Sequence, residues 1–320
     1  MCSIVAPPHS QRSVAPMYIL KQRLSPSHAA TRDAITFYLM ILPWIIGFLL
    51  FTIGPILASF ALSFTQYEVV TPPQFRGLEN YARMLEDPLF RKSLYNTFYY
   101  VWFFVPLHIV IALGMALLLN QKVRGVSIYR TMFYMPSIVP AVANAILWIW
   151  LLQPKWGLIN YALKLIGIKG PLWLASTTWS KPSLIMMSLW ASGGAMVIFL
   201  AGLQDIPESL HEAASIDGAN RVQRFFSITL PLLTPTIFFL IIMAIIGSFQ
   251  VFTAAFIMTN GGPVDSTLFY MLYLYRHAFV HLNMGYASAM AWILFIIVLV
   301  ATLVQFALGQ RWVYYEAERR

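Results

Sequence analysis

Six residues set in otherwise apolar runs are the first candidates for chemistry in this chain: Asn144, Trp148, Trp190, Ser248, Gln250 and Thr253. Asn, Ser, Gln and Thr side chains exchange hydrogen bonds with hydroxyl groups, and flat rings such as Trp148, Trp190 and Phe249 stack on the apolar face of a sugar. Trp148 follows Asn144 by one helical turn, which puts both on one face of a helix. The same polar groups also serve helix-to-helix hydrogen bonding inside a bilayer. Each residue therefore has two readings, a solute contact or a packing contact.

Other chemistries lack their residues. No G-x-x-x-x-G-K-[ST] run is present, so the chain does not itself cradle a nucleotide phosphate. His277 and His281 are four apart but have no evident third ligand, and a surface or interfacial role is the simpler reading than a metal site. No serine, histidine and carboxylate set recommends itself for nucleophilic catalysis, and a polytopic membrane enzyme would need such groups converging at one depth. The single cysteine, Cys2, cannot form an internal disulfide or a thiolate metal site.

The elements that carry these residues are membrane spans. The 320-residue chain is 59% apolar and only 10% charged, with a mean hydropathy of +0.69, outside the range of soluble domains. Uncharged runs cover residues 34–67, 93–121, 131–154, 182–204, 225–264 and 282–310, and about 20 apolar residues suffice to cross the hydrocarbon core. The fold class read from them is an all-α integral membrane protein with six transmembrane helices. Pro43, Gly47, Gly54 and Pro55 predict a kink in the first. The second run holds Asn96 and His108, the fourth Gly193 and Gly194, the sixth Gln305. No Asp, Glu, Lys or Arg falls in any run, although proton- and ion-coupled carriers usually place one there. An energy source outside the chain follows.

Residues 1–33 read as a polar tail with four prolines and no signal-like apolar run, and Met17 serves as well as Met1 for a start. A permease-like domain then covers 34–310 and a second tail 311–320. Six spans put both termini on one side. Twelve basic residues lie in the tails and connectors of that side and 9 on the other, a bias that favours termini inside. The net charge of +9 is spread over tails and connectors, which suits anionic lipid headgroups rather than a nucleic acid. Residues 159–168 predict a short amphipathic helix at the interface, with Trp156, Trp173 and Trp179 as an aromatic belt.

One connector, residues 205–231, has more structure than a link requires. Asp205 and Glu208 form a capping pair, Pro207 is tolerated in a first turn, and Gly218 sits where a chain leaving a helix takes positive φ. Ala219, Val222 and Phe225 or Phe226 then make an apolar stripe opposite Arg221 and Arg224. Two short helices about a tight bend suggest a docking element.

Within it, Glu212, Ala213 and Ala214, then Gly218, then Ile228, Leu230 and Pro231 match the E-A-A-x3-G-x9-I-x-L-P signature at every specified position. The chain thus resembles the permease subunits of bacterial ABC importers. NYARMLEDPLF from Asn80, Asn96–Thr97, PSIVPAVANAILWIWLL, WGLINYAL, MTNGGP from Met258 and GYASAMAWIL from Gly285 are similar to the sugar branch of that family, related to maltose and glycerol-3-phosphate importers. The resemblance covers roughly 35–310. It implies a second permease as heterodimer partner, an ATPase homodimer that binds ATP and Mg, an extracytoplasmic solute-binding protein, and a place in the bacterial inner membrane with both termini cytoplasmic. It also implies that the 205–231 loop is a cytoplasmic coupling helix between the fourth and fifth spans. Glu212, Ala213, Ala214, Asp217, Gly218 and Arg221 become the residues expected to meet the ATPase, with Glu212 the polar contact and the two alanines permitting close approach. Ser248, Gln250 and Thr253 precede MTNGGP, where the maltose branch places part of its sugar site. The expected function is passage of a carbohydrate or polyol-type solute, with a phosphodiester, amino acid or peptide as the alternative.

Overall fold

A computed structural model describes residues 28–121 and 124–314. Most of the expected N-terminal tail, Lys122 and the end of the C-terminal tail lie outside the described residues. By its contacts the chain divides into two units, residues 1–56 and 57–320. The first contains α1 (His28–Phe48), a π-helical turn (Leu49–Ile53) and the start of α2 (Gly54–Ser63). The turn stands in place of the expected kink. Pro55 offers no N–H and its ring crowds the carbonyl one turn back, and the Gly54 N–H reaches Leu49 O, one residue further than in an α-helix.

The second unit is built on α4. After α2 a short hairpin pairs β1 (Thr65–Gln66) with β2 (Gln74–Phe75), antiparallel, Thr65 opposite Phe75. Helix α3 (Glu79–Glu86) leads into α4 (Pro88–Leu119), which is capped by Asp87 accepting from the Leu89 and Phe90 amides at 2.9 and 3.2 Å. Then come α5 (Val126–Ile138), α6 (Ala141–Leu151), α7 (Leu158–Leu165), α8 (Ser180–Trp190) and α9 (Gly193–Gln204). The loop helices are α10 (Glu208–Ile216) and α11 (Arg221–Arg224), followed by α12 (Leu230–Leu232), α13 (Thr234–Phe249), α14 (Thr253–Met258), α15 (Tyr270–Tyr275) and α16 (Met284–Trp312). Helix α4 packs against α8, α9, α13 and α15. One buried cluster centres on Tyr100, Phe249, Tyr270, Tyr286 and Met290, a second on Ala112, Met196, Phe199 and Leu233.

Among the described residues, three helices are long and apolar enough to cross a membrane: Asp33–Ser63, Pro88–Leu119 and Met284–Trp312. Three further apolar runs are each broken into a pair. Helices α5 and α6 meet at 99°, α8 and α9 at 47°, and residues Arg221–Leu232 meet α13 at 63°. Counting each pair as one span gives six. Pro140 explains the sharpest break, since it cannot donate to the ladder and holds Val139 extended. At the second, Gly193 touches α5 so closely that a Cβ would lie 2.3 Å from Phe133 O. The run 225–264 is no single helix: it breaks at Leu233 and again at Gln250 before α14.

The short helix expected over 159–168 is α7. Trp156 and Trp179 are exposed as an interfacial belt requires. Trp173 is buried, its Nε1 donating to Asn160 Oδ1 at 2.6 Å and its ring against Trp179.

Candidate functional site

The 205–231 loop is ordered by backbone chemistry at its bend. Helix α10 ends in a left-handed Gly218 (φ +79°), with the Ala219 N–H on Ala214 O at 2.9 Å and the Gly218 N–H on Ser215 O at 3.2 Å. Those two bonds are a Schellman closure, and they satisfy carbonyls that the helix end leaves open. The next turn begins at a capping box: Gln223 N–H donates to Asn220 Oδ1 (2.9 Å) and Asn220 N–H to Gln223 Oε1 (2.8 Å). Asp205 does not take the N-cap position expected of it. Asp205 closes α9, Pro207 precedes α10, and no side-chain bond caps that start. Asn220 and Gln223, three residues apart, carry that capping signal in the sequence.

Glu212, Ala213, Asp217, Gly218 and Arg221 are exposed and Ala214 is half-buried. Leu210, Ile216, Val222 and Phe226 are exposed too, Ile216 at 87%. A surface with this much bare apolar side chain beside charged groups suits a protein partner. The stripe expected from Val222 and Phe226 therefore faces outward from the fold.

The solute candidates do not come together at one place. Asn144 and Trp148, one turn apart on α6, are buried, and neither Asn144 Oδ1 nor Trp148 Nε1 has a hydrogen-bond partner. The Trp190 ring, at the bend between α8 and α9, meets Trp148 edge-to-face at 6.0 Å. These three form one cluster. Ser248 instead lines a cavity of about 360 Å³ between α4, α9 and α13, with Tyr100, Phe104 and His108. Gln250 lines another of about 300 Å³ with Met271, Leu274 and Phe295. Thr253 starts α14, the helix packed on α6.

The quoted motifs converge at the end of the bundle where α4 and α16 begin. Tyr273 and Tyr286 donate to Asp87 Oδ2 at 2.5 and 2.9 Å. Asn96 Nδ2 donates to Asp265 O and Leu268 O, its Oδ1 accepts from Lys181 Nζ, and Thr97 Oγ1 accepts from the Tyr270 N–H. Lys181, just ahead of the expected fourth run, stands in the first turn of α8 with its ammonium over the Tyr95 and Tyr99 rings at 5.2 and 4.9 Å. Asn80 Nδ2 donates to Ser63 O and Thr65 O, and Gly285 approaches Thr65 so closely that a Cβ would lie 2.0 Å from its carbonyl.

Burial alone would raise the Asp87 carboxyl, but hydrogen bonds from Tyr273, Tyr286 and the Phe90 and Leu89 amides outweigh it and hold it below the usual carboxylate range. His277 is buried, contrary to the surface role expected of it. Its ring lies 4.6 Å from those of both Tyr273 and Tyr286, and neither ring nitrogen has a partner. Burial, with lesser contributions from His281 and Arg83, pushes it down to about 4.

Comparison with known proteins agrees with this architecture. Residues 108–314, more than half of the chain, match the family described as "Binding-protein-dependent transport system inner membrane component". The "Probable ABC transporter permease protein YesP" of Bacillus subtilis is 48% identical over 91% of this chain and 96% of its own. The "Trehalose/maltose transport system permease protein MalF" of Thermococcus litoralis is 34% identical over 87% and 95%. Among solved structures, a bacterial ABC transporter involved in the import of the acidic polysaccharide alginate matches with a TM-score of 0.76 at 25% identity, over 88% of this chain and 97% of that one. The chain belongs to the binding-protein-dependent transport system inner membrane component family and is an ABC transporter permease.

Proposed function

We propose that this chain forms one half of the translocation path of an ATP-driven importer for a carbohydrate or polyol-type solute. The observation that carries the reading is the pair of unpartnered polar atoms, Asn144 Oδ1 and Trp148 Nε1, buried beside the exposed Trp190 ring. A buried polar atom without a partner costs about 1–3 kcal/mol and calls for an explanation. An acceptor, a donor and an aromatic face are what a hydroxylated ring would use. Named relatives support the class, since one carries trehalose and maltose in its description and a solved neighbour imports a polysaccharide.

Each bent pair acts as one span, giving six, with the 205–231 loop between the fourth and fifth. The loop is a cytoplasmic foot that seats on a separate ATPase, where ATP and Mg bind, through Glu212, Ala213, Ala214, Asp217, Gly218 and Arg221. Its exposed Ile216, Val222 and Phe226 support that reading. ATP-driven closure moves the foot, and the attached spans rock between inward-open and outward-open states. Both termini are then cytoplasmic, in agreement with the 12 basic residues against 9. A second permease completes the path. A solute-binding protein delivers to the opposite face, and a solved alginate importer is described in complex with a periplasmic protein bound to an alginate pentasaccharide.

Uptake and growth on a panel of sugars in a strain deleted for this chain test the class. Loss of growth on one or more sugars, restored by the chain, is expected. Loss confined to amino acids, peptides or phosphodiesters would overturn it.

A further inference from the structure

The connector between α6 and α8 builds a cavity of about 600 Å³ around three lysines, Lys155, Lys164 and Lys169, with Trp156 and Tyr161 on its wall. Asn160, in the first turn of α7, ties the two ends of the connector together. Its Nδ2 donates to Pro154 O at 3.0 Å, ahead of the helix, and to Pro171 O at 3.2 Å, beyond it, while its Oδ1 accepts from the buried Trp173. Helix α7 closes through left-handed Gly167 (φ +78°), with the Ile168 N–H on Leu163 O at 2.9 Å and the Gly167 N–H on Lys164 O at 3.1 Å. That turn brings Lys169 back to the cavity that Lys155 and Lys164 line.

No Asp or Glu occurs between Asp87 and Asp205, and no carboxylate lines the cavity. Basic residues are normally sparse on the outer face of a membrane protein, yet three of the 9 counted on the side opposite the termini meet at this one place. Asn160 has spent its amide on the chain, so the ammonium groups are the donors left for a ligand, and such a wall takes an anion. The surroundings say which kind. Helix α7 turns Ile159 and Leu163 to the core and leaves Leu158, Tyr161 and Leu165 exposed on its other face, followed by exposed Ile166 and Ile168. An uncharged apolar rim beside a cationic hollow matches a molecule with a charged head and hydrocarbon tails. A free ion would leave that rim bare, and the rim of a soluble partner is polar.

We propose that this cavity binds the phosphodiester headgroup of an anionic phospholipid through Lys155, Lys164 and Lys169, with the acyl chains laid along Leu158, Leu165 and Ile166. Trp156 and Tyr161 then sit at headgroup level, where amphipathic rings are favoured. The lipid fastens to the interface the connector that follows α6, the helix of Asn144 and Trp148. Its side of the membrane, opposite the 205–231 loop, rests on the six-span reading above, whereas the binding itself does not.

The test uses the complete transporter purified in detergent. Dioleoylphosphatidylglycerol and dioleoylphosphatidylcholine are titrated in turn, and native mass spectrometry counts the bound lipid. One lysine near an anionic headgroup is worth about fivefold in affinity, so Lys155→Gln, Lys164→Gln and Lys169→Gln together should weaken the site about a hundredfold. The combined variant should retain one phosphatidylglycerol fewer than wild type at equal lipid, with phosphatidylcholine unchanged. Lys155→Arg, Lys164→Arg and Lys169→Arg together keep the charge and should bind as wild type does. The three lysines are exposed, so both variants should unfold at the wild-type temperature in phosphatidylcholine alone. Equal phosphatidylglycerol counts on wild type and the Gln variant would overturn the site. Such equal counts combined with a higher half-saturating concentration of loaded binding protein in uptake would give the lysines to that protein instead. Displacement of the lipid by inorganic phosphate in large excess would also overturn it, leaving a site for the free ion. Counting lipid needs no solute, so the outcome stands whether or not the chain carries carbohydrate.

Discussion

Tyr286 donates its phenolic hydrogen to the Asp87 carboxylate at 2.9 Å across 199 residues of chain. Asp87 also caps α4 and accepts from Tyr273, so one carboxylate holds the starts of α4 and α16 and the body of α15 together. Removing the acceptor leaves two buried phenols and two helix amides unpaired, whereas removing one phenol leaves the cap intact. Asp87→Ala should therefore destabilise the purified chain by about 2–4 kcal/mol, and Tyr286→Phe by about 1 kcal/mol. Thermal unfolding in detergent measures both. Equal losses would mean that the cap and the second phenol contribute little.

The same cluster should loosen in acid. His277 is held down near 4 from its ordinary value of 6.5, and Asp87 is held below its ordinary value of 3.8. For groups shifted downward, the folded state binds fewer protons than the unfolded chain over the interval between the two values. The stability contributed by neutral His277 is complete above about pH 6.5 and is lost as pH falls toward about 4. Asp87 adds a further loss below its ordinary value. His277→Phe, similar in shape, should flatten the decline between pH 6.5 and 4, as read from unfolding temperatures across a pH series. A variant as acid-sensitive as wild type in that window would assign the decline elsewhere.

Much of this was legible in the residues, and the part that was not has physical causes. Gly218 could be read because positive φ at a helix end has a strong residue preference. The uncharged runs could be read because a bilayer tolerates little else. Breaks inside those runs were not, since Ala191–Ser192 and Leu233 carry no polarity change and an apolar helix looks alike whether straight or bent. Pro140 and the 40-residue length of the fifth run were available signals. The burial of His277 and the clamp at Asp87 depend on contacts between distant segments, which local spacing does not encode. Ser248 and Gln250 read as one site because only Phe249 separates them in sequence, but they open onto different cavities.

The indole N–H of Trp148 offers a way to tell a solute contact from a packing contact. It is buried without a partner, so Trp148→Phe removes an unsatisfied donor while keeping an aromatic ring against Trp190. Stability should change by less than about 1.5 kcal/mol, because the lost ring volume and the relieved donor act in opposite directions. Uptake should nonetheless fall about three- to tenfold if the N–H meets a solute hydroxyl. Unfolding temperature and uptake rate, measured on the same preparation, separate the two. A fall in stability with normal uptake would make Trp148 a packing residue only.

Gly218 allows the coupling role of its loop to be tested apart from folding. A Cβ added there would meet nothing within 4 Å inside this chain, so the only internal cost of a side chain is the left-handed backbone at φ +79°. That cost is about 1–2 kcal/mol for most residues and less for Asn, which tolerates the conformation. Gly218→Asn and Gly218→Val should therefore both reach the membrane, with Val the less stable of the two. Transport should respond to bulk beyond the chain, where the exposed bend is proposed to seat on the ATPase. Gly218→Val is expected to abolish uptake and solute-stimulated ATP hydrolysis at near-normal membrane abundance, while Gly218→Asn retains part of both. If Gly218→Val transported normally, the bend would have no partner in contact, and the exposed Ile216, Val222 and Phe226 would need another explanation.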